Sequence, residues 1–262
     1  MEKQKIKVSV IGSGNVATHL AAGLFNAGVS IVSVWSPSKS NRKSLAVAVN
    51  AGAVENLGEI NGDSDYYIIS VPDDKIEEVI RELPVVDGVV CHTSGITPVD
   101  VFAERFDHYG VFYPLQTFSK KRSLDLKEVP FCLEGNNEES LLKLKLLAGL
   151  ISQNIYEVSS ENRMFIHLSA VFVSNFVNYM YTAAHDILKR KDLPFDLLKP
   201  LIKEVAAKVQ ELAPSEAQTG PARRKDLKTI EKHQDLLGEM DKDYLEIYKI
   251  ITSQIIKKYH EL

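Results

Sequence analysis

The chain has 262 residues, 45% hydrophobic and 25% charged, a balance typical of folded globular proteins, and it is long enough for two domains of ordinary size. Lys and Arg number 31 against 35 Asp and Glu, for a net charge of -4, which argues against nucleic acid or an anionic membrane as partner. Two cysteines, Cys91 and Cys132, are too few for a disulfide framework and fit a reducing, cytoplasmic setting. No stretch approaches the roughly 18–20 apolar residues of a membrane span, and the N-terminus lacks a signal-peptide core.

Short apolar runs at 6–11, 31–35, 66–71 and 88–93 read as strands buried on both faces. Helical patterns at 15–27, 39–50 and 74–83 separate them, which gives βαβ units and a mostly parallel sheet. Residues 111–113, 131–133 and 155–158 extend the sheet, with a helix over 138–150. Beyond residue 158 no strand pattern follows. Helices are expected at 162–188, 197–212 and 241–259, with Pro194, Pro214 and Pro221 in the gaps. The expected organisation is an α/β Rossmann-like domain over 1–158, then an all-α domain over 159–262.

The first strand runs into Gly12-Ser13-Gly14-Asn15-Val16-Ala17, which fits the dinucleotide fingerprint G-x-G-x-x-A between a strand and a helix. Gly12 allows the tight turn, Gly14 lets backbone approach a pyrophosphate, and Ala17 keeps the helix close to the sheet. The helix N-terminus supplies N–H groups to the phosphates. NAD-binding versions place an acid at the end of the second strand, about 20 residues on. Here that place holds Ser36, Ser38, Lys39, Ser40 and Arg42, a set suited to a 2′-phosphate. NADP is therefore expected over NAD, with Ser36, Ser38, Lys39 and Arg42 as its contacts. Helix capping alone would also explain Ser38 or Ser40.

Ligands of open parallel sheets sit at the carboxyl ends of the strands. One such end reads Val71-Pro72-Asp73-Asp74, where Val71 and Pro72 would touch the cofactor and the acids cap a helix. Another reads His92-Thr93-Ser94-Gly95. Thr93 and Ser94 are placed to meet a nicotinamide, and His92 is either an acid/base or a structural histidine.

These motifs together resemble the family that joins a Rossmann-like domain to a DUF2520 helical domain, described as F420-dependent NADP oxidoreductase-like. Further matches are Tyr113-Pro114-Leu115-Gln116-Thr117-Phe118-Ser119, the segment from His167 to Asn175, and Thr219 to Asp226 with His233 beyond. The resemblance spans nearly the whole chain. It implies kinship with pyrroline-5-carboxylate reductases, 6-phosphogluconate dehydrogenases and other β-hydroxyacid dehydrogenases, without supplying a substrate. Two positions depart from it. Tyr113 stands where the family often has histidine, which excludes a catalytic histidine there, and Lys225 stands where it often has glycine.

The long helix carries a polar seam. At about 100° per residue, Ser174, Asn178, Tyr181 and His185 fall within about 40° of His167, and Asn175 lies about 80° away. Such a seam faces an interdomain cleft or pairs with another helix. β-Hydroxyacid dehydrogenases carry a lysine about four residues before an asparagine on the corresponding helix. Val171 and Ser174 occupy the two positions that spacing allows, so that lysine is missing. Candidates for the catalytic role are then His92, His167, or a water held by Ser174 or Asn175. Asn178, Arg223 and Arg224 are expected at the substrate, the arginines as a carboxylate clamp. A solvated basic turn would explain the arginines equally. No Cys/His/acid cluster has metal spacing, so no metal is expected.

The expected activity is hydride transfer between NADP(H) and a small C=O, C=N or deazaflavin (F420) acceptor. The missing lysine motivates an alternative, a redox-silent NADP(H)-binding regulatory protein. A methyltransferase would want an acid where Ser36 stands. An apolar closing helix suggests a homodimer.

Overall fold

The computed structural model describes residues 5–60 and 62–260, so the N-terminal leader expectation lies partly outside the described residues. Among them the chain forms eight strands in one sheet. These are β1 (Lys7–Ile11), β2 (Ser30–Trp35), β3 (Gly52–Val54), β4 (Tyr66–Ile69), β5 (Val89–His92), β6 (Tyr109–Pro114), β7 (Phe131–Gly135) and β8 (Ile155–Glu157). Their order is β3-β2-β1-β4-β5-β6-β7-β8, and every neighbouring pair is parallel except β6 with β7. β1 and β4 are neighbours although β2 and β3 intervene in sequence, so the chain reverses its direction of travel across the sheet there. That is the doubly wound arrangement, whose ligand crevice lies at the reversal.

The continuous apolar runs follow from burial on both faces. Side chains alternate across a strand. Val8 and Val10 of β1, Tyr66 and Ile68 of β4, and Val89 and Cys91 of β5 enter one core with helices α1 (Asn15–Asn26), α2 (Lys39–Ala48) and α4 (Glu138–Gly149). Ile11, Tyr67, Ile69 and Val90 enter the other core with α3 (Ile76–Glu82) and Phe102.

After β8 the chain is helical, with α5 (Ser160–Ala170), a π-helical segment (Val171–Phe176) and α6 (Val177–Lys189). Then come α7 (Lys199–Glu211), the single turns α8 (Pro214–Ala217) and α9 (Pro221–Arg224), α10 (Leu227–Met240) and α11 (Lys242–His260). The sequence pattern does not anticipate the strand β3. The chain divides into two compact units, Met1–Ser174 and Asn175–Leu262. The sequence change at residue 158 marks the end of the strands, and α5 still belongs to the first unit.

Among the described residues no helix is long and apolar enough to cross a membrane, and no group of three metal-ligating side chains gathers.

Candidate active site

The turn from β1 to α1 is built by Gly12, whose φ of 127° lies in the region glycine favours. A Cβ there would strike the carbonyl of Ser70 at the end of β4, so only glycine lets these two strand ends approach. At Gly14 a Cβ would meet nothing within 4 Å, which leaves open space beside the first turn of α1. Gly14 is the N-cap, with no side-chain cap, and no acidic residue follows in the first turn. The early amides of α1 are therefore free for an anion. Ala17 is fully buried against the sheet.

A cavity of about 1010 Å³ runs along these carboxyl ends. Gly12 to Val16 form its floor, with Ser36, Ser38 and Asn41 at one end. Ser70, Val71, Pro72, Thr93 and Ser94 follow, then the Tyr113 and His167 side chains, and Gln116 and Lys120 complete the lining, Lys120 beside Asn15. Ser13 Oγ donates to Ser36 Oγ at 2.7 Å, and Thr93 Oγ1 donates to Ser70 Oγ at 3.1 Å. Ser94 Oγ accepts the N–H groups of Ile96 and Thr97, which fixes the loop after β5.

Two cations expected at the cofactor lie elsewhere. Arg42 is buried and does not line the cavity. Its Nη1 donates to the Ser36 carbonyl at 2.9 Å and its Nη2 pairs with Glu55 at 3.1 Å. It holds the β2–α2 turn from beneath, because its position on α2 faces inward. Lys39, the first residue of α2, is exposed and also outside the lining. Ser38 caps α2, its Oγ accepting the Asn41 N–H at 3.5 Å, so the hydroxyls of Ser36 and Ser38 are the polar side chains left at that end of the cavity.

His92 is corrected more firmly. It ends β5 with no exposed surface and lies outside the cavity wall. Its ring stacks on Phe102 with centroids 5.6 Å apart. Nδ1 accepts the Ser94 N–H at 3.2 Å, so Nε2 carries the proton and faces the Pro98 carbonyl at 3.4 Å. Burial, aided by the Arg163 charge, pushes its pKa down to about 4. A neutral, enclosed ring cannot serve as a proton donor near pH 7, so His92 is a structural residue.

His167 is in the cavity wall. It packs against Gly95, where a Cβ would collide with its ring. Its Nδ1 lies 3.0 Å from the Tyr113 hydroxyl. Burial pushes the Tyr113 pKa up to about 12, with Cys132 and Asp73 adding to the rise and Arg163 opposing it, so the phenol keeps its proton. Tyr113 was passed over because it is not the histidine its relatives often carry. Gln116 lies in the Tyr113–Ser119 match without a role of its own, and Ser70 and Lys120 belong to no motif. Only strand-end placement could have marked Ser70 and Tyr113.

The polar seam on the long helix does not stay in phase. A π segment takes more residues per turn than an α-helix, so the 100° wheel fails beyond Val171. Ser174 closes the first unit without lining the cavity. Asn175 and Asn178 belong to the second unit and are exposed. There His185 faces Asp186 at 3.2 Å, and Asp186 accepts from Tyr244 at 2.8 Å. The Arg223 guanidinium lies over the Tyr259 ring, 4.5 Å from its centroid, and Arg224 is exposed. Asp226 caps α10 by accepting from Thr229 N at 3.2 Å.

Fold and cavity define a Rossmann-like protein with a helical C-terminal region. Residues 7–90 match the model for NADP oxidoreductase, coenzyme F420-dependent, and residues 129–255 match DUF2520, a domain of unknown function. Among solved structures, the chain is similar to BF3122 of Bacteroides fragilis, a candidate NADP oxidoreductase by name, with 38% identity, 97% and 98% of the two chains covered, and a TM-score of 0.90. The chain belongs to this NADP oxidoreductase-like, DUF2520-containing family. An imine reductase from Myxococcus stipitatus in complex with NADP+ shares the fold at 13% identity, 97% and 95% coverage and a TM-score of 0.67. So does a Plasmodium falciparum pyrroline carboxylate reductase with NADP bound, at 15% identity, 96% and 100% coverage and a TM-score of 0.61. No curated protein matches the chain.

Proposed function

We propose that this protein is an NADP(H)-dependent oxidoreductase acting on a small C=O or C=N compound, or on a deazaflavin acceptor. The support is a single cavity that begins at an uncapped helix N-terminus with an acid-free β2 end and finishes at the Tyr113–His167 pair. The residues fit the cofactor: the open side of Gly14 and the free α1 amides suit a diphosphate, and Ser36, Ser38 and Asn41 suit a 2′-phosphate. The absence of a carboxylate at the end of β2 favours NADP over NAD. Named relatives with NADP bound add support.

When bound, NADPH would supply the hydride to the acceptor carbon. Tyr113 would hold its phenolic proton toward the heteroatom of the acceptor. His167, 3.0 Å from the phenol and partly exposed, would link it to solvent, one ring nitrogen taking up a proton as the other hands one on. The pair thus does the work of the missing helix lysine. That loss also keeps alive a redox-silent NADP(H) sensor, which turnover would exclude.

Trp35 lines the cavity, and its Nε1 donates to the Glu55 carbonyl at 3.2 Å, so its fluorescence reports binding. Titration with NADPH and NADH is expected to show quenching, stronger with NADPH. NADPH oxidation is then followed with imines, ketones and F420. The Tyr113→Phe variant is expected to keep binding and lose turnover. Quenching by neither nucleotide would overturn the proposal.

The proposal extends to a cytoplasmic homodimer. Cys91 and Cys132 are free and buried, as a reducing compartment allows. The second unit buries few apolar side chains, Ala222, Ile230 and Leu237 among them, while Leu197, Leu201, Val205 and Val209 stand exposed along one row. A second copy would cover that row.

A further inference from the structure

The loop between β6 and β7 is fastened to the start of α1. The Lys120 N–H donates to Oδ1 of Asn15, the first residue of that helix, at 3.4 Å. One turn further on, His19 grips the same loop. Its Nδ1 lies 2.8 Å from the Asn15 carbonyl oxygen and its Nε2 lies 3.0 Å from the Arg122 carbonyl oxygen. Phe118 packs on the ring with centroids 5.2 Å apart. Both neighbours of the imidazole are acceptors, so the neutral ring satisfies one and the doubly protonated ring satisfies both.

The fastening brings a charge to the cavity. Two lysines line it, Lys75 and Lys120. Lys75 is ion-paired with Glu78 at 2.9 Å. Lys120 is exposed and pairs with no carboxylate among the described residues. The neighbouring α1 N-terminus offers amides and a positive dipole end, with no formal charge and no capping side chain. A lysine side chain extends about 6 Å, enough to reach an anion held by those amides from a backbone tied to Asn15.

We propose that Lys120 is a cofactor-binding residue, carried by the His19-held loop onto the diphosphate received by α1, an inference that rests on NADP(H) being the ligand of this cavity. His19 is the positioning residue. Lys120 adds the one free formal positive charge to a cradle otherwise made of backbone dipoles. Charge-assisted bonds to phosphate are stronger than neutral ones, so its removal is felt.

The test uses the full chain and two ligands, NADPH and adenosine 2′-monophosphate, which has the 2′-phosphate without the diphosphate. Lys120→Met is expected to weaken NADPH about tenfold and to leave adenosine 2′-monophosphate unchanged. Lys121→Met, at an exposed neighbour outside the lining, is the control for general charge and is expected to change neither. His19→Ala is expected to weaken NADPH less, and the double variant to lose less than the sum of the two singles. Unchanged NADPH affinity in Lys120→Met, with wild type binding normally, overturns the proposal and leaves the cofactor reading standing. Equal losses for both ligands, or for Lys121→Met, also overturn it. Strictly additive losses in the double variant remove the positioning role of His19. Wild type binding neither nucleotide overturns the cofactor reading and this one with it.

Discussion

His92 shows how far a single residue can be read from a motif. A histidine at a strand end, followed by Thr93-Ser94-Gly95, has the pattern of an acid/base, and the pattern does not record which way the ring turns. Here it turns into the core against Phe102. The cost of charging it becomes a stability effect. Its pKa is about 4 in the fold against an ordinary 6.5, so below pH 6.5 the unfolded chain binds the proton and the folded chain does not. The stability that neutral His92 contributes is fully present above pH 6.5 and is lost as the pH falls toward 4. One unit is worth about 1.4 kcal/mol, so about 2 kcal/mol should vanish between pH 7 and 5 through this residue. Urea unfolding at the two pH values measures it, and His92→Gln should flatten the difference. Equal pH sensitivity in the variant would assign the loss to other groups.

Lys225 is a residue-scale counterpart in the second unit. It sits at φ 57°, a left-handed conformation between α9 and the Asp226 cap of α10. A lysine Cβ is strained there, whereas glycine is at ease. Lys225→Gly should stabilise the chain by about 1 kcal/mol, read as a raised urea midpoint. A lowered midpoint would show that the lysine side chain makes contacts worth more than the strain.

At the scale of elements, α5 is positioned by a polar clamp. Arg163 is fully buried, and its Nη1 pairs with Glu134 of β7 at 2.7 Å. Its Nη2 donates to the Thr97 carbonyl in the loop after β5 and to Ser160 Oγ. Ser160 Oγ donates to Glu134 at 2.6 Å and accepts the Val99 N–H at 2.9 Å. Arg163 precedes His167 by one turn, so the clamp sets where that ring meets Gly95 and Tyr113. Removing one partner strands the other. Arg163→Met should cost about 3 kcal/mol, the low end for breaking a buried pair, because it strands Glu134, which is only partly buried. Chemical denaturation checks it, and a loss under about 1 kcal/mol would mean the clamp contributes little.

The same elements show what was legible in the sequence. Strands β1, β2, β4 and β5 were visible because burial on both faces writes an unbroken apolar run. β3 was missed because Gly52–Val54 is three residues long and mostly exposed. The fingerprint could be located to the residue, since Gly12 is demanded by backbone geometry and Gly14 keeps the space beside α1 open. The clamp and the Tyr113–His167 pair could not, because they join side chains 29 and 54 positions apart that only the folded sheet brings together. The polar seam was misjudged for a local reason: a π segment within a helix leaves no periodic signature.

At the scale of the whole molecule, the two units differ in how they bury surface. The first has a sheet covered on both faces. The second is an array of helices whose apolar side chains remain largely outside. On α7, Leu201 and Val205 are 59% and 57% exposed, and they share a face at a spacing of four with Val209. Rows of this kind cost solubility unless covered, and closed two-fold pairing is the commonest cover. Leu201→Asp with Val205→Asp would place two desolvated carboxylates at such a contact, opposed to their own copies. The expected outcome is a wild-type dimer by sedimentation velocity and a monomeric double variant, with the far-ultraviolet circular dichroism of the first unit's sheet retained. Wild type that stays monomeric at every concentration would end the dimer proposal. A double variant that sediments as wild type would place the contact away from α7.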